Sequence, residues 1–186
     1  MLFMKLRPAR TMRSITSQAW SRYSVKKPKK NYVKALPHTS LLIFRMGSDK
    51  NTYDTEFLLC SDQYIQLRSN SLESARLVAN RYLENELAQG FFMQILTYPH
   101  NVIREKKRAT GAGADRLSQG MSMSFGKPIS IAARIKEGQP VILVRTMASN
   151  KAHVREALRR AASKLSGTYS LVSRPIARAV EQKEAA

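Results

Sequence analysis

The sequence predicts an α+β fold: a mostly antiparallel sheet with two packed helices, preceded by a basic arm and interrupted by a long glycine-bearing loop. Three observations carry this. Between residues 40 and 172, short apolar runs of strand character dominate; only two stretches show a helical period; and most neighbouring strands lack the intervening chain that a helical crossover needs.

Ser40–Met46 and Thr55–Cys60 read as strands separated by a turn at Gly47-Ser48-Asp49-Lys50-Asn51. Gln63–Ser69 alternates, with Tyr64 and Gln66 on one face and Ile65 and Leu67 on the other. The first helix follows to about Ala88. Asn70 and Glu73 have the spacing of a capping pair, Leu72, Ala75, Ala79, Tyr82 and Leu83 form an apolar stripe, and Gly90 is its stop. Phe91–Tyr98 is a strand halted by Pro99. Residues 99–128, rich in glycine and poor in large apolar side chains, read as a loop, and a loop that long inside a domain is usually functional. Ile129–Lys136 and Pro140–Thr146 pair as a hairpin. The second helix spans Lys151–Leu165, capped by Ser149 or Asn150, with Val154, Ala157, Leu158, Ala161 and Leu165 inward and Ser166-Gly167 at its end. A short strand near Tyr169–Val172 closes the order β-β-β-α-β-loop-β-β-α-β. The resulting organisation is an arm over 1–34, one domain over 35–173, and a tail over 174–186.

The 186 residues carry 32 Lys+Arg against 13 Asp+Glu, a formal charge of +19. Residues 1–48 hold +11, residues 49–100 hold −3, and residues 101–180 hold +12. An ordinary globular surface is therefore flanked by two cationic stretches, which asks for a polyanionic partner, nucleic acid before membrane. No apolar run approaches the roughly 18 residues that span a bilayer, and neither helix sets a bulky apolar stripe against its basic face as a membrane-surface helix does. No membrane partner is expected. The lone cysteine, Cys60, excludes an intramolecular disulfide and a Cys-based zinc site, and its apolar run makes it a small core residue.

The arm contains Lys5, Arg7, Arg10, Arg13, Arg22, Lys26, Lys27, Lys29 and Lys30, with Trp20, Tyr23 and Tyr32 available to stack on bases. Its acid-free composition also imitates a mitochondrial presequence, but Pro8 and the Lys-Pro-Lys-Lys block suit an amphipathic targeting helix poorly. In the loop, Arg104, Lys106, Lys107 and Arg108 precede Gly111, Gly113, Asp115 and Arg116. Cations neutralise phosphate and glycines let the backbone approach it. Without a strand feeding that glycine turn or a Gly-Lys-Ser/Thr signature, a nucleotide-enzyme reading fails. On the second helix Lys151, Arg155 and Arg159 recur at i, i+4 and i+8 beside Arg160 and Lys164, an arrangement eased by a bound anion. His38, His100 and His153 are scattered, and no metal-ligand or catalytic spacing is readable. An enzyme, a cofactor and a metal are therefore not expected.

Tyr98-Pro99-His100, Gly111-Ala112-Gly113-Ala114-Asp115-Arg116 and Phe125-Gly126-Lys127-Pro128 together resemble a known family: large-subunit ribosomal protein sixteen, in its archaeal and eukaryotic (L-ten-e) form. Lys5-Leu6-Arg7-Pro8-Ala9-Arg10, Met46-Gly47, Ala79-Asn80-Arg81-Tyr82-Leu83, Ala132-Ala133-Arg134 and Glu156-Ala157-Leu158-Arg159-Arg160-Ala161 extend the likeness from residue 5 to about 172. The resemblance implies an α/β-hammerhead-type fold, binding to large-subunit rRNA in the cytoplasmic ribosome, neighbouring ribosomal proteins as partners, and a place near the tRNA-binding A/P-site cleft. It implies that the loop about Arg104–Arg116 points towards tRNA and that the arm threads among RNA helices. It also adds Lys127 and Arg134 to the RNA-binding candidates Arg155, Arg159 and Arg160. Thr11-Met12 stands where relatives often carry Cys-Tyr, and the tail after Arg174 is this chain's own. A DNA-architectural protein is the alternative from composition alone.

Overall fold

The structure, a computed structural model, describes residues 13–15, 33, 36–105 and 126–176. Its elements are β1 (Arg45–Gly47), β2 (Thr55–Ser61), β3 (Ile65–Arg68), α1 (Ser69–Leu87), β4 (Phe91–Ile95), β5 (Asn101–Glu105), β6 (Lys127–Ile135), β7 (Pro140–Thr146), α2 (Lys151–Ala162) and β8 (Tyr169–Pro175). They form two antiparallel sheets, one ordered β1-β4-β7-β2-β8 and the other β3-β6-β5. The α+β fold expected from the sequence is thus present, with its strands divided between two sheets rather than gathered in one. β6 and β7, expected as a hairpin, do not pair, because β6 lies between β3 and β5 while β7 lies between β4 and β2.

The division follows from side-chain alternation. On the larger sheet Phe57, Leu59, Met93, Ile142 and Val144 face the helices, which contribute Leu72, Ala75, Ala79, Leu83, Val154, Ala157, Leu158 and Ala161. The smaller sheet adds Ile65, Leu67, Ala133 and Ile135 to the same core. Burying each large side chain here contributes about 1.5–3 kcal/mol. The opposite face of the larger sheet has its own cluster of Tyr53, Leu58, Cys60, Phe92 and Leu143, on which Ile176 packs. Cys60 is buried and unpaired, and burial, with Asp62 nearby, pushes its thiol pKa up.

Only Arg45–Gly47 of the first apolar run pairs as a strand. Before it, the Thr39 hydroxyl occupies the Leu41 N–H and C=O at 3.2 Å, Leu41 plugs the core, and Leu42 and Ile43 face outward. The segment 99–128 is not loop throughout. Asn101–Glu105 pairs with the start of β6, from Asn101 against Ala132 to Glu105 against Lys127, because Val102 and Ile103 bury their side chains there. The Asn70–Glu73 capping pair does not form. Ser69 already lies in the helix, Arg68 is the N-cap and supplies no side-chain capping bond, and Glu73 instead receives Arg76 Nε and Nη2 at 2.8 and 2.6 Å.

The other helix ends also differ. α1 stops at Leu87, where Ala88 takes a positive φ of 49° before Gly90. Asn150 is the N-cap of α2, but its amide donates to the Thr146 hydroxyl at 3.2 Å rather than capping the helix. α2 ends at Ala162, although Leu165 remains buried. Gly47 is required where it stands: its φ is +81°, and a Cβ would lie 2.2 Å from the Phe91 carbonyl oxygen.

Candidate nucleic-acid interface

α2 separates its two faces cleanly. Val154, Ala157, Leu158 and Ala161 are buried, while Lys151, Arg155, Arg159 and Arg160 are exposed, as is Lys164 in the turn just after the helix. The helix lies antiparallel to α1, since His153 Nδ1 is 3.6 Å from Glu86 Oε2 near one end and Arg160 lies over Tyr82 further along. One acid interrupts the cationic face. Glu156 accepts Arg159 Nε and Nη2 at 2.8 Å each and Arg160 Nε at 2.7 Å. Arg159 and then Arg160 hold its carboxyl down to a pKa of about 2, and the same contact raises the Arg159 pKa. Arg160 is held a second time by the Tyr82 ring, 4.4 Å from its guanidinium carbon. Lys151, Arg155 and Lys164 make no ion pair among the described residues. The helix therefore presents both pre-aimed arginines and free cations.

A second set of candidates sits on the smaller sheet. Lys127 opens β6 and is exposed, and Arg134 is the penultimate residue of that strand, half-buried. Arg134 Nη2 donates to the Ile15 carbonyl at 2.9 Å, and the Gln66 N–H donates to the Arg13 carbonyl at 2.8 Å. Arg13 and Ile15 of the basic arm therefore lie beside β3 with Arg13 exposed, and Val33 packs on Val102 and Ile131. Arg104, expected in the loop, is a β5 residue opposite Pro128, and burial lowers its pKa. Lys5, Arg7, Arg10, Arg22, Lys26, Lys27, Lys29 and Lys30 lie outside the described residues, as do Trp20, Tyr23 and Tyr32. So do Lys106, Lys107, Arg108, Gly111, Gly113, Asp115 and Arg116, but the strands on either side of them are placed: Glu105 and Lys127 are register partners, so the two ends of the segment lie side by side.

One charged cluster was missed by sequence reasoning. On the outer face of the larger sheet the buried Glu56 carboxylate receives Arg145 Nε at 3.1 Å and Arg174 Nε and Nη2 at 2.8 and 2.6 Å. Arg145 also lies over the Phe92 ring, 5.8 Å from its centroid. Glu56, Arg145 and Arg174 are direct cross-strand partners. Opposite charges at facing positions would have revealed them only once the register was known. No three His, Cys, Asp or Glu side chains among the described residues are grouped to hold a metal, and no helix among them is long and apolar enough to cross a membrane.

The family model described as ribosomal protein L16p/L10e matches residues 20–172. The chain belongs to this family. Large ribosomal subunit protein uL16 of Methanococcus aeolicus is 41% identical over 163 residues, covering 87% of this chain and 90% of that protein. Its counterpart from Staphylothermus marinus is 40% identical over 174 residues, covering 93% and 96%, and that from Sulfolobus acidocaldarius 41% identical over 165 residues, covering 87% and 90%. All of the β1–β8 scaffold up to Val172 lies within the L16p/L10e match. The chain is thus a ribosomal protein, and membership replaces the DNA-architectural alternative that composition left open.

Proposed function

We propose that this L16p/L10e protein is a structural constituent of the large subunit of the cytoplasmic ribosome and binds large-subunit rRNA through two cationic surfaces. The observation that supports it best is the outer face of α2, where Lys151, Arg155, Arg159 and Arg160 are all exposed, with Lys164 exposed in the turn that follows, and only Glu156 opposes them. Phosphate contacts from such a face fix register and affinity, while the shape of the folded RNA supplies specificity. The second surface is the smaller sheet with Lys127, Arg134 and the arm from Lys5 to Lys34. The chain has no catalytic part in this reading. It should co-sediment with large subunits in a salt-washed gradient, and recovery only in the soluble fraction would overturn it.

The segment between Glu105 and Lys127 helps to shape the tRNA-binding cleft. Its support is the pairing of β5 with β6, which sets both ends side by side, and the cations Lys106, Lys107, Arg108 and Arg116 with Asp115 as the one acid between residues 106 and 126. Neutralising Lys106, Lys107 and Arg108 should leave subunit entry intact and impair tRNA binding. Normal tRNA binding by such subunits would reduce the segment to a spacer.

A further inference from the structure

Between β4 and β5 the chain passes from the larger sheet to the smaller as an extended ribbon with strict alternation. Ile95, Thr97, Pro99 and Asn101 are buried, and Leu96, Tyr98 and His100 are exposed. Tyr98 stacks on Phe44 at 5.5 Å with planes 22° apart, and His100 lies tilted against Tyr98 at 4.8 Å. Phe44 packs on the main core, so the stack is anchored at its inner end. Even so, Tyr98 keeps 50% of its surface exposed. Beside it opens a cavity of about 370 Å³ whose walls include Thr97, Tyr98, His100, Asn101, Arg134 and Gln139. That volume is within the range of small-ligand clefts.

Two side chains of this cleft, Arg134 and Gln139, offer donors that the fold leaves available. Arg134 commits Nη2 to the Ile15 carbonyl and keeps its other N–H groups. Gln139 accepts the Lys136 N–H at 3.0 Å through Oε1, leaving its NH₂ group to donate. Thr97 is 4% exposed and its hydroxyl has no hydrogen-bond partner, an arrangement that costs free energy unless a ligand or water completes it. A flat aromatic surface beside unfilled donors does not suit a phosphate, for which one guanidinium is a thin complement. An aliphatic side chain of a neighbouring protein would leave the donors unpaired.

We infer that this cleft receives a single unstacked RNA base, which lies against Tyr98 and His100 and presents an acceptor edge to Arg134 and Gln139. A guanine offering N7 and O6 is the base whose edge a guanidinium meets most readily, and splayed bases on aromatic side chains are a common mode of RNA recognition. The inference rests on the rRNA-binding reading above and adds a base-specific site to its phosphate contacts.

The test uses large subunits assembled with the full chain, either unchanged or carrying Tyr98→Ala, His100→Ala or Tyr98→Phe. Ultraviolet cross-linking with mass-spectrometric mapping should join Tyr98 or His100 to one rRNA nucleotide. Tyr98→Ala should raise the chemical reactivity of that base about 5–150-fold, the loss expected when a stacking side chain is removed, with Tyr98→Phe close to the unchanged chain. Both substituted positions are exposed, so the variants should enter subunits at normal occupancy, and circular dichroism of the free variants checks their fold. Subunits in which α2 cross-links to rRNA while Tyr98 and His100 do not, and no base changes reactivity, would overturn the inference and leave rRNA binding standing. A cross-link from Tyr98 to a peptide would assign the cleft to a protein neighbour and overturn it too. A chain that binds no rRNA would remove both.

Discussion

The guanidinium of Arg160 is fixed between two groups from different helices: Tyr82 of α1, over whose ring it lies at 4.4 Å, and Glu156 of α2, to which its Nε donates at 2.7 Å. Arg159 and Arg160 are therefore aimed before any RNA arrives. Glu156 both positions two arginines and cancels part of their charge, and these effects oppose each other in binding.

Removing that acid while keeping its shape separates them. Glu156→Gln should bind large-subunit rRNA fragments more tightly at low salt than the unchanged chain. Its salt dependence should steepen by about 0.7–0.9 in log K per log salt for each phosphate newly neutralised. Filter binding across a salt series measures both. Weaker binding would mean that positioning of Arg159 and Arg160 outweighs their charge.

The same carboxylate gives a pH signature. Its pKa is about 2 in the folded chain, against an ordinary value of 4.5. A depressed carboxylate pKa stabilises the fold above the unfolded value and loses that contribution as pH falls through the folded one. The stability difference between the unchanged chain and Glu156→Gln should be constant above about 4.5 and shrink towards about 2, as followed by thermal melting. A difference that does not change over this range would show that the Arg159 and Arg160 contacts do not persist in solution.

How far the sequence carried these conclusions depends on how local each feature is. The α2 stripe and its opposite cations repeat every turn, so Val154, Ala157, Leu158 and Arg155 declare both faces within one short stretch. α1 is legible for the same reason through Leu72, Ala75, Ala79 and Leu83. β5 was not, because Val102 and Ile103 are only two apolar residues ahead of a cationic run, and β6, which makes them a strand, begins at Lys127. The Glu56 triad was invisible because its arginines lie 89 and 118 residues away. Capping failed because Glu73 pairs with Arg76 one turn along the same helix, and Arg76 is held there by burial and by its contact with the distant Met46 sulfur at 3.2 Å. Of the site, the helix face was readable, whereas the aromatic stack of Phe44, Tyr98 and His100 needed two distant segments to meet.

Gly47→Ala should destabilise the chain by about 2–4 kcal/mol, since both the positive φ and the Phe91 carbonyl oppose a side chain. Chemical denaturation compares the two proteins. A change within about 0.5 kcal/mol would mean that β1 can move away from β4 without loss.

Cys60 reports on the outer face of the larger sheet. Buried beside Leu58 and Leu143, with its thiol pKa raised, it should react with a disulfide reagent at neutral pH at least about 100-fold more slowly in the native chain than in denaturant. Similar rates would show that this face opens readily.

The most direct test is the salt dependence of rRNA binding by Lys151→Ala/Arg155→Ala, two exposed residues that make no ion pair among the described residues. Filter binding to a large-subunit rRNA fragment should show uniformly weaker affinity and a salt slope shallower by about 1.4–1.8, the share of two phosphates. An unchanged slope and affinity, with the fold intact by circular dichroism, would contradict an RNA-binding role for the α2 face.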